Sequence, residues 1–201
     1  MARFVVTRCP GSGWDPAKSS RDQAGWDHHA AFMDALVDER VIAFGGPAGE
    51  GDKFVLIADA PDQATLQARL ALDPWAPADL LRTVAIEPWT MWLGDDERID
   101  GARGRPLHLV AYRPGPRWDP TKSRRDQLGW DAHAAFMDAL VVQRVIVLGG
   151  PLDERRALAV VQLDDPPAVR RHLSADPWYD DVLAIECIEP WTVWLARPSG
   201  G

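Results

Sequence analysis

Two histidines, His29 and His133, and two aspartates, Asp73 and Asp176, have the types and placing in this 201-residue chain to move a proton. An imidazole with an unperturbed pKa of about 6.5 can give and take a proton near neutral pH. A carboxylate bonded to one ring nitrogen fixes the tautomer and stabilises the imidazolium. Of the five histidines, only His29 and His133 stand at equivalent places in two halves of the chain that repeat one another; His28 and His108 face Ala132 and Phe4, and His172 has no histidine counterpart. Each aspartate is followed by proline and tryptophan, and the proline restricts the turn that presents the carboxylate. Packing readings stand beside this one, because a histidine on an apolar helix face is often structural and Asp-Pro often ends a helix. Around each pair, Trp75 and Trp178 could wall an aromatic ligand. Arg8 and Arg113, near the ends of two strand-like segments, could hold an anionic one, Arg113 standing where the first half has Cys9.

The halves are one domain written twice. Residues 14–47 and 118–151 agree at 26 of 34 positions without a gap, and all ten tryptophans fall into five matched pairs. Asp73-Pro74-Trp75 returns as Asp176-Pro177-Trp178, and Glu87-Pro88-Trp89-Thr90 as Glu189-Pro190-Trp191-Thr192. A repeat of about 100 residues is large enough to own a core. The reading is therefore two domains, 1–93 and 107–197, joined by a Gly-, Asp- and Arg-rich linker at 94–106.

Each copy reads as β-α-β-β-α-β. A β-rich opening ends at Pro-Gly. His29, Phe32, Met33 and Leu36 then fall at i, i+3, i+4 and i+7, on one helical face. Val41 to Phe44 is a second strand stopped by Gly45-Gly46-Pro47, and Phe54 to Ile57 a third. A second helix runs from Pro61 to about Leu72, and Thr83 to Leu93 is the last strand, with Pro88 at an edge or bulge. This order is an α+β, ferredoxin-like domain. Consecutive apolar residues in the strands predict that both sheet faces are covered, which two sheets packed face to face within one chain would achieve. Trp89, Trp92, Trp191 and Trp194 are read as packing residues, and Trp14, Trp26, Trp118 and Trp130 are left open. Lys18, Arg21 and Asp22, with Lys122, Arg125 and Asp126, form either a solvated ion-pair surface or a lid.

A strand ending in Arg-Cys-Pro-Gly or Arg-Pro-Gly, a histidine four residues before a methionine, a Gly-Gly-Pro and an Asp-Pro-Trp follow one another in each copy. In this order they resemble the YCII-related family of the dimeric α/β-barrel superfamily, over both repeats. The resemblance implies ferredoxin-like domains pairing as an intramolecular dimeric α/β barrel. It also implies a His and Asp site in each, which falls on His29 with Asp73 and His133 with Asp176. The family's chemistry ranges over dehydrochlorination and isomerase-like reactions, so membership fixes no substrate.

The net charge of −8 and sequence pI near 5.0 argue against a nucleic-acid surface. No apolar run approaches the roughly 20 residues of a membrane span, and no signal peptide is legible, so the expected location is the cytoplasm. Cys9 and Cys187 occupy non-equivalent places, which argues against a shared disulfide or thiolate chemistry. Adjacent His28 and His29 point in different directions on a helix, so no metal site is expected, and no cofactor is implied. The sequence thus points to a small-molecule lyase or isomerase using a His-Asp acid–base pair on an aromatic or anionic ligand. A ligand-binding module without turnover and a scaffold with relic sites are the alternatives. Beyond the pseudo-dimer, further homo-oligomerisation is left open.

Overall fold

The structure, a computed structural model, describes residues 1–101 and 104–197. In chain order its elements are β1 (Ala2–Pro10), α1 (Trp26–Asp38), β2 (Ile42–Ala48), β3 (Lys53–Ala60), α2 (Gln63–Leu70), β4 (Leu81–Pro88), β5 (Leu93–Gly94) and α3 (Asp96–Gly101). They continue with β6 (Leu107–Pro114), α4 (Trp130–Val142), β7 (Ile146–Pro151), β8 (Ala157–Val161), α5 (Pro166–Leu173), β9 (Leu183–Trp191) and β10 (Leu195–Ala196). The protein is α+β, and no described helix is long and apolar enough to cross a membrane.

The chain divides into two compact units, Met1–Pro88 with Val193–Gly201 and Trp89–Thr192. Within the first unit the antiparallel strand order is β4-β1-β3-β2-β10. Within the second it is β9-β6-β8-β7-β5. Each sheet therefore carries a two-residue strand from the end of the other sequence repeat. The segment read as a linker, 94–106, includes Gly94 of β5 and the helix α3, and its residues 102 and 103 lie outside the described ones.

Gly45-Gly46 and Gly149-Gly150, read from sequence as strand-ending turns, lie inside β2 and β7. Their bareness admits the added segment. A Cβ on Gly149 would sit 3.2 Å from Leu93 Cδ1, and one on Gly150 only 1.9 Å from the Thr90 carbonyl oxygen. The last strand of the first copy also ends earlier than its apolar run suggests, at Pro88, because Trp89 leaves for the second unit. Pro88 does fall where its missing N–H is tolerated, at the end of β4, which lies at the edge of the first unit's strand order.

Alternation along β1 puts Phe4, Val6 and Arg8 on one face. Phe4 and Val6 join Met33, Leu36, Leu56, Leu66 and Leu70 in the core between sheet and helices. On α1 the buried residues His29, Met33, Leu36 and Val37 form the stripe the spacing predicts, with Phe32 half-buried. The second unit repeats the pattern with Val110 and Tyr112 on β6 and with Met137 and Leu140 on α4. Continuing the same face of β1 beyond the core brings Arg8 under α1 beside Met33, its Nη1 lying 3.8 Å from the sulfur. The second helix of the first unit starts two residues past Pro61, and that of the second unit starts on Pro166. Asp62 caps α2 by accepting from the Thr65 N–H at 2.7 Å, and Asp165 caps α5 in the same way.

Candidate active site

In each unit the first helix and the turn after the second helix bring the histidine to its aspartate. His29 Nδ1 lies 2.8 Å from Asp73 Oδ1, and His133 Nδ1 lies 2.9 Å from both Oδ1 and Oδ2 of Asp176. All four side chains are buried. The Asp-Pro-Trp sequence explains the carboxylate's position. Asp73 Oδ1 also accepts the Trp75 backbone N–H at 2.9 Å, and Asp176 Oδ1 that of Trp178 at 2.9 Å, the Asx turn typical of an aspartate two residues ahead.

The same tryptophans fix the imidazoles. His29 stacks on Trp75 with centroids 3.8 Å apart and planes at 1°, and His133 on Trp178 at 4.1 Å and 8°. The Trp75 Nε1–H donates to the Ala24 carbonyl and that of Trp178 to Leu128, both at 2.8 Å. Those carbonyls precede Gly25 and Gly129, which start the helices with φ of 72° and 80°, a conformation that favours glycine. Ring, indole and helix start are thus locked together. Trp26 tilts and Trp14 stands edge-on against Trp75, as Trp130 and Trp118 do against Trp178, which gives packing roles to the four tryptophans left open by the sequence.

Each dyad borders a cavity. In the first unit a cavity of about 210 Å³ is lined by Arg8, Arg21, Trp26, His29, Phe54 and Trp75 among others, with Trp194 in its wall. In the second a cavity of about 440 Å³ is lined by Tyr112, Arg124, Arg125, Trp130, His133 and Met137, with Trp92 in its wall. Nδ1 being engaged by the carboxylate, Nε2 is the ring nitrogen left for a ligand. Trp92 and Trp194 are not the packing residues expected. They are 42% and 47% exposed, whereas Trp89 and Trp191 are buried at 3% and 2%.

The two sites differ at the floor. Arg8 Nη2 pairs with Asp73 Oδ2 at 2.7 Å, the two side chains only 2% and 0% exposed. This is an ion pair rather than an aligned hydrogen bond, and Arg8 Nε has no partner. Burial pushes the Asp73 carboxyl up, but the His29 hydrogen bond, the Arg8 charge and the Trp75 N–H outweigh it and hold it below its ordinary value. The equivalent of Arg8 in the second unit is Tyr112, whose buried hydroxyl has no partner. Burial, and then the Asp176 charge, push the Tyr112 phenol far above its ordinary range, so it stays neutral.

Arg113 does not join its histidine. The alternation that sends Tyr112 inward sends Arg113 outward, where it is exposed and donates to the Pro114 carbonyl at 3.3 Å. Trp178 supports the ring of His133 from behind without lining the cavity, whereas Trp75 does both. Arg124, where the first copy has Ser20, is a cation of the second site that the repeat did not signal. It donates to the carbonyls of Asp153, Glu154 and Arg156 at 3.2–3.3 Å and lies 5.4 Å over Trp118. Gln23 and Gln127 were equally unmarked, although Arg-Asp-Gln recurs in both copies. Each is buried and ties the long loop by exchanging bonds with the backbone of Asp15 or Asp119. Of the loop charges, Lys18 pairs with Asp15 and Lys122 with Asp119 in exposed pairs, while Arg21 and Arg125 line the cavities.

No family model matches the chain, and no curated protein does. Solved structures do. A protein provisionally named chlorite dismutase aligns at 10% identity and TM-score 0.54 over 96% of this chain and 95% of its own. A heme-binding protein from Thermus thermophilus aligns at 12% identity and TM-score 0.59 over 96% and 91%. A protein provisionally named monooxygenase from Lactobacillus acidophilus aligns at 6% identity and TM-score 0.49 over 98% and 97%. At 10% and 12% identity the first two likenesses are likenesses of fold alone.

Proposed function

We propose that the protein is a cofactor-independent lyase or isomerase that handles a small molecule by general acid–base catalysis. The observation that carries this reading is the imidazole stacked on a buried indole, bonded through Nδ1 to a buried aspartate and bordering a cavity, built twice. A lone structural histidine needs none of these together. The aspartate holds the Nδ1–H tautomer, so Nε2 takes the proton from substrate and returns it. The aspartate stabilises the imidazolium between the two steps.

Heme, which the Thermus thermophilus neighbour binds by its name, is not carried over. A cavity of about 440 Å³ suits a small organic ligand, and one of about 210 Å³ a smaller one. The β-α-β-β-α-β order of each unit supports a tandem, YCII-related protein of two ferredoxin-like domains that duplicate 1–93 and 107–197. The doubly apolar strands support their pairing as an intramolecular barrel. Turnover of a panel of chlorinated aromatics, lactones and enolisable ketones tests the enzymatic reading. Activity is expected in the wild type and is lost in the double variant His29→Gln and His133→Gln. A ligand that raises Tm without being turned over would instead select the binding module.

A further inference from the structure

We infer that the two dyads have divided their roles: His133 is the proton-abstracting base, acting on a planar aromatic or conjugated carbon acid, while Arg8 holds the His29 dyad down. The inference rests on the acid–base reading above and adds which site turns over and what it accepts.

The first ground is the electrostatics of each carboxylate. Asp176 gives both oxygens to His133 Nδ1 at 2.9 Å, and the group beside it on the floor is the neutral Tyr112 hydroxyl. Asp73 gives His29 one oxygen and the Arg8 guanidinium the other, at 2.8 and 2.7 Å. In a buried site of low effective dielectric, a cation that close cancels much of the field the aspartate would put on the imidazole. His29 is thus opposed by the same residue that anchors its partner. The other charged groups lining the cavities match, Arg21 and Asp34 in the first with Arg125 and Asp138 in the second. Arg124 is the exception, and its guanidinium is committed to loop carbonyls.

The second ground is room and shape. The His133 cavity has about 440 Å³ against 210 Å³, which brings it into the range of organic-ligand pockets. Its walls are Trp92 and Trp130 at 5.9 Å and 84°, with Met91, Leu93 and Met137. Two indoles in edge-to-face contact form an aromatic corner against which a flat ring can pack. Arg125 lies 5.2 Å over Trp92 and 5.9 Å over Trp130, placing a cation where an oxyanion formed on such a ring can be met.

5-Nitrobenzisoxazole probes these features without knowledge of the natural substrate, being flat, neutral and opened by removal of one carbon-bound proton. His133 Nε2 takes the C3 proton, the C–H pair becomes part of the nitrile, and the ring N–O bond breaks with its pair going to the phenolate oxygen. The full chain is expected to open it faster than free imidazole at equal concentration. His133→Gln is expected to lower kcat/KM about 100-fold, within the usual range for a general base. That loss should exceed the loss at His29→Gln at least tenfold. Tyr112 is a positioning residue, and Tyr112→Arg should lower kcat with little change in KM, a split that a change in binding alone does not give. If Tyr112→Arg does not fold by circular dichroism, Arg8→Tyr in the His133→Gln background replaces it and should regain activity from the first site. An equal or larger loss at His29→Gln overturns the division while leaving the dyad reading intact. A wild-type rate no higher than free imidazole, or one that neither histidine variant lowers, overturns both.

Discussion

Arg8 and Tyr112 occupy the same place in two copies of one domain, and the exchange of a fixed cation for a neutral hydroxyl changes what the adjoining aspartate does. Asp73 shares its charge between an imidazole and a guanidinium, so the first site is a three-membered ionic network. Asp176 serves the imidazole and the Trp178 N–H, and the network has two ionisable members. Duplication kept the histidine, the aspartate and the stacked indole and altered the residue beneath them. The dyad's geometry can be conserved between copies while its electrostatics are not. An aspartate that anchors a buried cation is committed to stability; one that faces only an imidazole is committed to the proton.

Removing each carboxylate should expose that difference most strongly. Asp73→Ala strands Arg8 as an uncompensated buried charge, at a cost of about 3–5 kcal/mol, whereas Asp176→Ala leaves no buried arginine behind and should cost about 1–3 kcal/mol. At roughly 2–4 °C per kcal/mol for a chain of this size, calorimetry should find the Asp73 variant melting several degrees lower. Equal melting points would remove the distinction between the floors.

Acid provides the next test. The folded Asp73 carboxyl lies below its ordinary value of 3.8, so its contribution is fully present above that pH and is lost as pH falls through the folded value. Arg8→Met removes one of the groups that hold it down while burial still pushes it up. Urea unfolding from pH 6 downward should therefore show the variant's acid loss beginning at higher pH than the wild type's. A matching onset would mean that Arg8 does not set the Asp73 charge.

Trp75→Phe and Trp178→Phe should bracket what the sites share. Each removes an indole N–H donated at 2.8 Å to the carbonyl before a helix start, worth about 0.5–1.5 kcal/mol net. The two losses should agree within error by urea denaturation, and a marked inequality would show that the copies have diverged in their supports as well as their floors. The smallest effect is expected at the walls. Trp92→Phe and Trp194→Phe, at half-open positions, should each change stability by no more than about 0.5 kcal/mol. Titration of a flat aromatic probe, followed by fluorescence, should nevertheless weaken more with Trp92→Phe, because the larger cavity is the one Trp92 walls.

The histidine and aspartate of each site could be found in the sequence because two local rules and one repeat converge on them: helical spacing places His29 with Met33 and Leu36, the Asp-Pro-Trp turn has its own chemistry, and both recur. Element order was legible for the same reason. Arg113 was misassigned because it was likened to Arg8 by residue type, whereas the repeat register sets it opposite Cys9, and β-strand alternation turns Tyr112, the counterpart of Arg8, inward. Arg124 left no trace because it stands opposite Ser20 and its partners are backbone carbonyls of a loop whose sequence differs between the copies. The joining of β5 and β10 to the edges of β7 and β2 has no local signature at all, since two-residue strands carry neither alternation nor length. Only the paired glycines hinted at a close neighbour, and glycine serves turns as readily.

That exchange of short strands also orders the two sites in time. The second unit is continuous in sequence, from Trp89 to Thr192, while the first is split around it. As a chain leaves the ribosome at roughly 5–20 residues per second, domains fold as their residues emerge. The second unit has every strand it needs once residue 192 is out. The first, although made earlier, lacks the two-residue strand β10 that pairs with β2 until the last residues of the second repeat are made. That strand is added only when Leu195 and Ala196 arrive, and with them comes Trp194, in the wall of the His29 cavity. The half that is translated first is therefore the half completed last, and a ribosome that stalls before residue 193 would release a chain with a finished His133 site and an unfinished His29 site.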